Sequence, residues 1–196
     1  MIISRNLFVL ILGCFLVSVI HAQSSGQPVS PKQLFPSSTL NVHSPNSEGW
    51  VVTGAARNGV SFGKRGANNS ETYGAQVNIF EMPTTTNSEE LINFVRNRIA
   101  TVNPSPRFRE TTSDYQYTAN RGYPCVSVHI TFDDTAAVTS SGTEQLKLQV
   151  ISLYCRHPIQ QQLGFFAAYS HRGKTTDKQM GNAAMSFIEG VNVPDK

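Results

Sequence analysis

Residues 125–155 read CVSVHITFDDTAAVTSSGTEQLKLQVISLYC, and the fold follows from how this stretch pairs with itself. Over 126–132, Val126, Val128, Ile130 and Phe132 alternate with smaller or polar residues. Over 146–154, Leu146, Leu148, Val150 and Tyr154 repeat the pattern. A period of two marks strands with one buried face. The Thr-, Ser- and Gly-rich residues 133–143 read as the loop between them. One antiparallel register sets Phe132 opposite Leu148, Ile130 opposite Val150, Val126 opposite Tyr154, and Cys125 opposite Cys155. A slip of one residue would spoil the apolar match. The register therefore predicts a Cys125–Cys155 disulfide, which stabilises the fold by roughly 3–4 kcal/mol in the chain-entropy model.

A disulfide needs an oxidising compartment, and the start of the chain carries an address for one. Arg5 is followed by the uncharged run LFVLILGCFLVSVI at 7–20, and Ala22 precedes Gln23. This is the pattern of a secretory signal peptide cleaved between Ala22 and Gln23. The run is shorter than the ~20 residues that span a bilayer, and no later stretch is apolar enough. The alternative is a lipoprotein anchored through Cys14, because Ile11-Leu12-Gly13-Cys14 resembles a lipobox. Against it, the largely apolar residues 15–20 follow where lipoproteins turn polar. Removal of the leader leaves two cysteines, the even count a disulfide requires.

The chain has 196 residues, of which 15% are charged, with a formal net charge of +3. Loss of Arg5 lowers that to +2, too little to point to a nucleic-acid partner. The expected organisation is a signal peptide over 1–22, a flexible Ser- and Pro-rich leader over 23–38, and one α+β domain over 39–196. Strands are expected at 40–42, 50–56, 60–64, 73–81, 107–117 and 165–170, besides the two above. A helix is expected over Ser88–Val102. Asn87 and Glu90 have capping-box spacing there, and Leu91, Val95, Ile99 and Val102 share a face. A second helix is expected over 177–189, with Thr176 and Gln179 as its capping box, Met180, Ala184, Phe187 and Val191 as its stripe, and Gly190 as its C-cap. Hairpin connections predict a single curved antiparallel sheet of about six to seven strands, with two main helices packed on one side.

This order resembles the PsbP-like and DcrB-like α/β sandwiches over about residues 39–193. The residues that carry it are Trp50 in an early strand, Ser88-Glu89-Glu90-Leu91 opening the first helix, and Ser186-Phe187-Ile188 ending the last. The resemblance implies an exported domain with a binding or accessory role and no catalytic residue.

The residues that can carry chemistry are few. Cys125, His129, Cys155 and His157 share a face of the hairpin. However, Cys125 and His129 are about 13 Å apart along a strand, too far for one metal ion. A Cys155–His157 nucleophile pair needs a free thiolate, which the disulfide removes. Residues 59–65 (GVSFGKR) fall one spacer short of a phosphate loop and have Arg where its Ser or Thr belongs. Asp133 and Asp134 read as solvated loop acids. Arg107, Arg109, Arg156 and Arg172 are the candidate anionic-ligand patch, with Arg121 and Lys174 as basic neighbours. Asn68-Asn69-Ser70 is a glycosylation sequon, relevant in a eukaryotic secretory pathway. The reading is an exported, non-catalytic binding module for a protein or small ligand, without a cofactor or metal. The alternative is a hydrolase-type enzyme assembled from His129, His157, His171 and the Asp133–Asp134 pair.

Overall fold

The computed structural model describes residues 26–104, 106–139 and 142–194. The expected signal peptide, its Ala22–Gln23 cleavage point and Cys14 lie outside the described residues. The elements run β1 (Gln27–Pro28), β2 (Leu34–Pro36), β3 (Asn41–His43), β4 (Val51–Ala56), β5 (Gly59–Arg65), β6 (Thr72–Glu81), α1 (Ser88–Val102), β7 (Phe108–Thr118), β8 (Cys125–Thr139), β9 (Gly142–Arg156), β10 (Leu163–Gly173), α2 (Met180–Glu189) and β11 (Val191–Asn192). Among the described residues no helix is long and apolar enough to cross a membrane.

The hairpin at the centre has the expected register. Phe132 faces Leu148, Ile130 faces Val150, and Cys125 faces Cys155. The backbone N–H of Arg156 donates to the Pro124 carbonyl, so Cys125 and Cys155 form a non-hydrogen-bonded pair, the closer kind in an antiparallel ladder. Their Cα atoms are 4.0 Å apart and the disulfide is formed. The hairpin is longer than its alternation indicated. The Thr-rich segment expected as a loop continues both strands, past a register shift between Asp134 and Ala137. Threonine suits a strand as well as a loop, so composition alone could not separate the two.

The expectation of one sheet of six to seven strands is overturned. Eight strands form one antiparallel sheet in the order β1-β4-β5-β6-β10-β9-β8-β7, and three short strands form a second, β11-β3-β2. The extra strands are two or three residues long and too short to show periodicity. Two of them, β1 and β2, fall in the segment expected as a flexible leader. The Val29 N–H donates to the Trp50 carbonyl, and Ser44 Oγ bridges the Ser30 carbonyl and the Gln33 N–H, so this segment is tied to the domain.

The helices do not share a side of the large sheet. Leu91, Val95 and Ile99 of α1 pack with Val126, Val128, Ile130, Phe132 and Leu148. Met180, Ala184, Phe187 and Ile188 of α2 pack with Ile151, Leu153, Phe165, Ala167 and Tyr169. Successive strand residues point to opposite faces, so the two clusters lie on opposite faces. The small sheet joins α2 through Val42 and Val191, with Leu40 just before β3 in the same cluster. The result is three layers: α1, the eight-stranded sheet, and α2 with the small sheet.

The helix ends show what local sequence decides. Asn87 accepts the Glu90 N–H, as expected, while the Glu90 carboxylate reaches back to the N–H and hydroxyl of Thr86. The Thr176–Gln179 box does not form. Asp177 instead accepts the Gln179 N–H and the Tyr73 hydroxyl, which holds 177–179 in a turn and delays α2 to Met180.

Candidate functional site

Following cross-strand partners along the α1 face gives a row whose chemistry changes halfway. Gly54, Ser61, Gln76, Ala168 and Ser152 are successive neighbours, and then Val128. The next row runs Gly63, Gly74, Ser170, Val150 and Ile130. The apolar half, on β8 and β9, lies in the cluster that α1 packs against. The small polar half, on β5, β6 and β10, borders open space. Between it and the C-terminal turns of α1 runs a groove of about 510 Å³. That volume is within the range of small-molecule sites.

Phe132, Leu148, Val150 and Phe166 give the groove an apolar floor, and Ser61, Gln76, Ser152 and Ser170 give it hydrogen-bonding groups. Ser152 is 2% exposed, yet its hydroxyl makes no hydrogen bond among the described residues. The hydroxyl oxygen is not itself among the fully buried atoms, so it is free to meet a ligand or water in the groove. Two cations stand at the groove. The Arg98 guanidinium lies 3.9 Å from the centroid of the Phe80 ring. Arg172 pairs with Asp134 at 3.3 Å, while its buried Nε–H has no partner among the described residues. Burial pushes the Tyr154 phenol up to about 12, so this floor residue stays a neutral phenol.

The expected basic patch divides. Arg107 binds both oxygens of Asp134, at 2.9 and 3.2 Å, and Arg172 shares that carboxylate. Arg109 and Lys147 both bind Asp133. Asp133 and Asp134 are thus strand residues buried among cations, and Asp134 is 0% exposed. Their reading as solvated loop acids is corrected, because the hairpin extends past them. For Asp133, hydrogen bonds from Lys147 and Arg109 hold the carboxyl below its ordinary value. For Asp134, burial alone would raise it, but the Arg107 hydrogen bonds and the Arg172 charge outweigh burial and hold it low. Arg156 is apart from this network, at the other end of β9. Its guanidinium bonds the Gln161 and Pro83 carbonyls and the Thr85 hydroxyl.

The residues of the enzyme alternative are not brought together. Asp133 and Asp134 are consecutive in β8 and point to opposite faces. His129 is exposed. The buried His157 ring accepts the Ile159 and Gln160 N–H groups at Nδ1, and its Nε2 faces the Thr39 carbonyl, so both nitrogens hold structure. His171 pairs with Glu71 at 3.0 Å and lowers that carboxyl, but its side chain is 3% exposed and beyond reach of a substrate. Among the described residues no group of three His, Cys, Asp or Glu is placed to hold a metal. Residues 59–65 form strand β5, and Asn68 of the sequon is exposed in the 66–71 turn, accepting from the Ser70 N–H and hydroxyl.

Sequence reasoning missed Ser61, Gln76, Ser152, Ser170 and Arg98. Their signal was the polar parity of β5, β6 and β10, which acquires meaning only once the strand order aligns it. No protein-family model and no curated protein matches the chain.

Proposed function

We propose that the protein is an exported, non-catalytic binding module whose ligand lies in the groove beneath the C-terminal half of α1. The ligand is an elongated amphipathic small molecule with an apolar body and an acceptor oxygen. The observation that carries this reading is the partnerless hydroxyl of Ser152 at the floor of an open, half-apolar groove. The apolar body lies on Phe132, Leu148, Val150 and Phe166, and the acceptor oxygen takes a hydrogen bond from Ser152. The leader pattern and the disulfide support an oxidising compartment. The likeness to PsbP-like and DcrB-like sandwiches supports a binding or accessory role.

Laurate is a suitable probe, read by displacement of anilinonaphthalene sulfonate. Gln76→Trp places a large side chain in the groove at an exposed position. It is expected to weaken laurate about tenfold or more with little change in thermal midpoint. Failure of laurate to bind the wild-type chain, or equal binding by the variant, contradicts the reading. N-terminal sequencing of the exported protein tests the address, with Gln23 as the expected first residue. A start at Cys14 with added acyl mass places the protein on a membrane.

A further inference from the structure

Arg156 ends β9 and is 8% exposed. Three oxygens receive its hydrogen bonds: the Gln161 carbonyl at 2.6 Å, the Pro83 carbonyl at 2.7 Å and the Thr85 hydroxyl at 3.0 Å. All three are neutral. Arg107, Arg109 and Arg172 each reach a carboxylate, whereas no carboxylate of the described residues lies within 4.0 Å of the Arg156 guanidinium. A guanidinium carries five N–H donors, so these bonds leave two without a protein partner. Buried charges are costly unless an opposite charge accompanies them, and here none of the described residues supplies one.

The same side chain lines a second cavity, of about 740 Å³, at the N-terminal end of α1 and so at the opposite end of that helix from the groove. Thr84, Thr85 and Ser88 contribute hydroxyls to its wall, Gln162 an amide, and Tyr117 and Leu91 apolar surface. The end of α1 is not the attraction. Asn87 and Glu90 already cap it, and Glu90 takes the Thr86 hydroxyl. What the cavity offers an anion is one guanidinium without a carboxylate partner among the described residues, beside the hydroxyls of Thr84, Thr85 and Ser88.

We infer that this cavity is a binding site for an oxyanion group, a carboxylate or a phosphate, held by the free N–H donors of Arg156 and by the hydroxyls of Thr84, Thr85 and Ser88. The site is separate from the groove and does not rest on the function proposed for it. Arg156 and Thr85 are its specificity-determining residues, since the guanidinium sets the charge and the hydroxyl bound to it still has a proton to donate.

The test titrates the isotope-labelled chain with sodium phosphate, sodium acetate and, at matched ionic strength, sodium chloride. The Arg156 Nε–H resonance is followed throughout. A saturable shift with phosphate, acetate or both, and none with chloride, is the expected result. Which salt acts separates phosphate-bearing from carboxylate-bearing ligands. Thr85→Val leaves both carbonyl bonds of Arg156 in place and is expected to weaken the anion several-fold. Arg156→Lys keeps the charge, loses the planar fork, and is expected to weaken it about tenfold. If Arg156→Lys does not fold, the wild-type titration and Thr85→Val decide alone. An absent shift, an equal shift with chloride, or unchanged affinity in both variants overturns the inference and leaves Arg156 as a clamp between the 82–85 and 158–162 segments.

Discussion

Row by row, the α2 face of the large sheet reads Phe62, Ala75, Tyr169 and Ile151, while the adjoining α1-face row reads Ser61, Gln76, Ala168 and Ser152. The same four strands supply both. The first row is closed over by α2, the small sheet and Trp50, with Phe62 edge-on to both Phe35 and Phe187. The second is left partly open because α1 covers only the β7–β8 side. One face is built to exclude water and the other keeps small polar groups beside an apolar floor. Both faces carry buried core, and on the proposed function binding falls on the α1 side alone, so the two roles can be broken separately.

The largest effect is expected from Trp50→Ala on the closed face. Trp50 is almost wholly buried, stands edge-on to Tyr169 and donates its indole N–H to Ser47. Its truncation is expected to cost about 3–5 kcal/mol in chemical unfolding. A loss below about 1 kcal/mol would mean that this face does not carry the fold.

Next comes the disulfide, which also lies on the α2 face. Replacing Cys125 and Cys155 together by serine is expected to cost roughly 2–4 kcal/mol and to leave laurate affinity unchanged wherever the chain stays folded. Unchanged stability with lost binding would reverse the assignment of the two faces. Free thiols found by labelling the native, unreduced protein would remove the bridge from the account.

A third test separates the carboxylate cluster from the rest. Asp133 and Asp134 titrate below their ordinary values in the folded chain. Their contribution is therefore complete above the unfolded carboxylate range and is lost as pH falls through the lower folded values. Unfolding free energy is expected to drop below about pH 4, and the Asp133→Asn, Asp134→Asn chain is expected to show a shallower drop from a lower starting point. An identical pH profile in the two proteins would contradict the pairing.

The smallest effect is expected at Val102, which the helical period of α1 placed on the buried stripe but which is 61% exposed. Val102→Ser is expected to change stability by no more than about 0.5 kcal/mol, whereas Ile99→Ala on the same helix costs about 2–4 kcal/mol.

Val102 also shows where sequence reading stops. Alternation along residues 126–132 and 146–154 specified a register, and the register specified a disulfide, because each residue has one partner and two faces. The extent of Ser88–Val102 followed from its cap and stripe. What covers a face is a different question. Nothing in the stripe of α1 says that its last turn overhangs a groove, and strands as short as β1, β2 and β11 have no period to read. The site was less legible than the fold. Arg107, Arg109 and Arg172 looked like a patch until the lengthened hairpin brought Asp133 and Asp134 beneath them. Arg156, grouped with them by charge, is the one of the four that meets no carboxylate among the described residues. Ser152 was invisible as a site residue, since one serine in an apolar strand has no meaning until its neighbours Ala168 and Val128 are known.

The central claim, that the α1 face binds and the α2 face does not, is tested most directly by mapping laurate onto the backbone amide spectrum of the full chain. The account predicts saturable shifts at Ser61, Gln76, Ser152 and Ser170, with Phe62, Tyr169 and Phe187 unmoved. Shifts gathered on the α2 face, or none anywhere at saturating laurate, would contradict it.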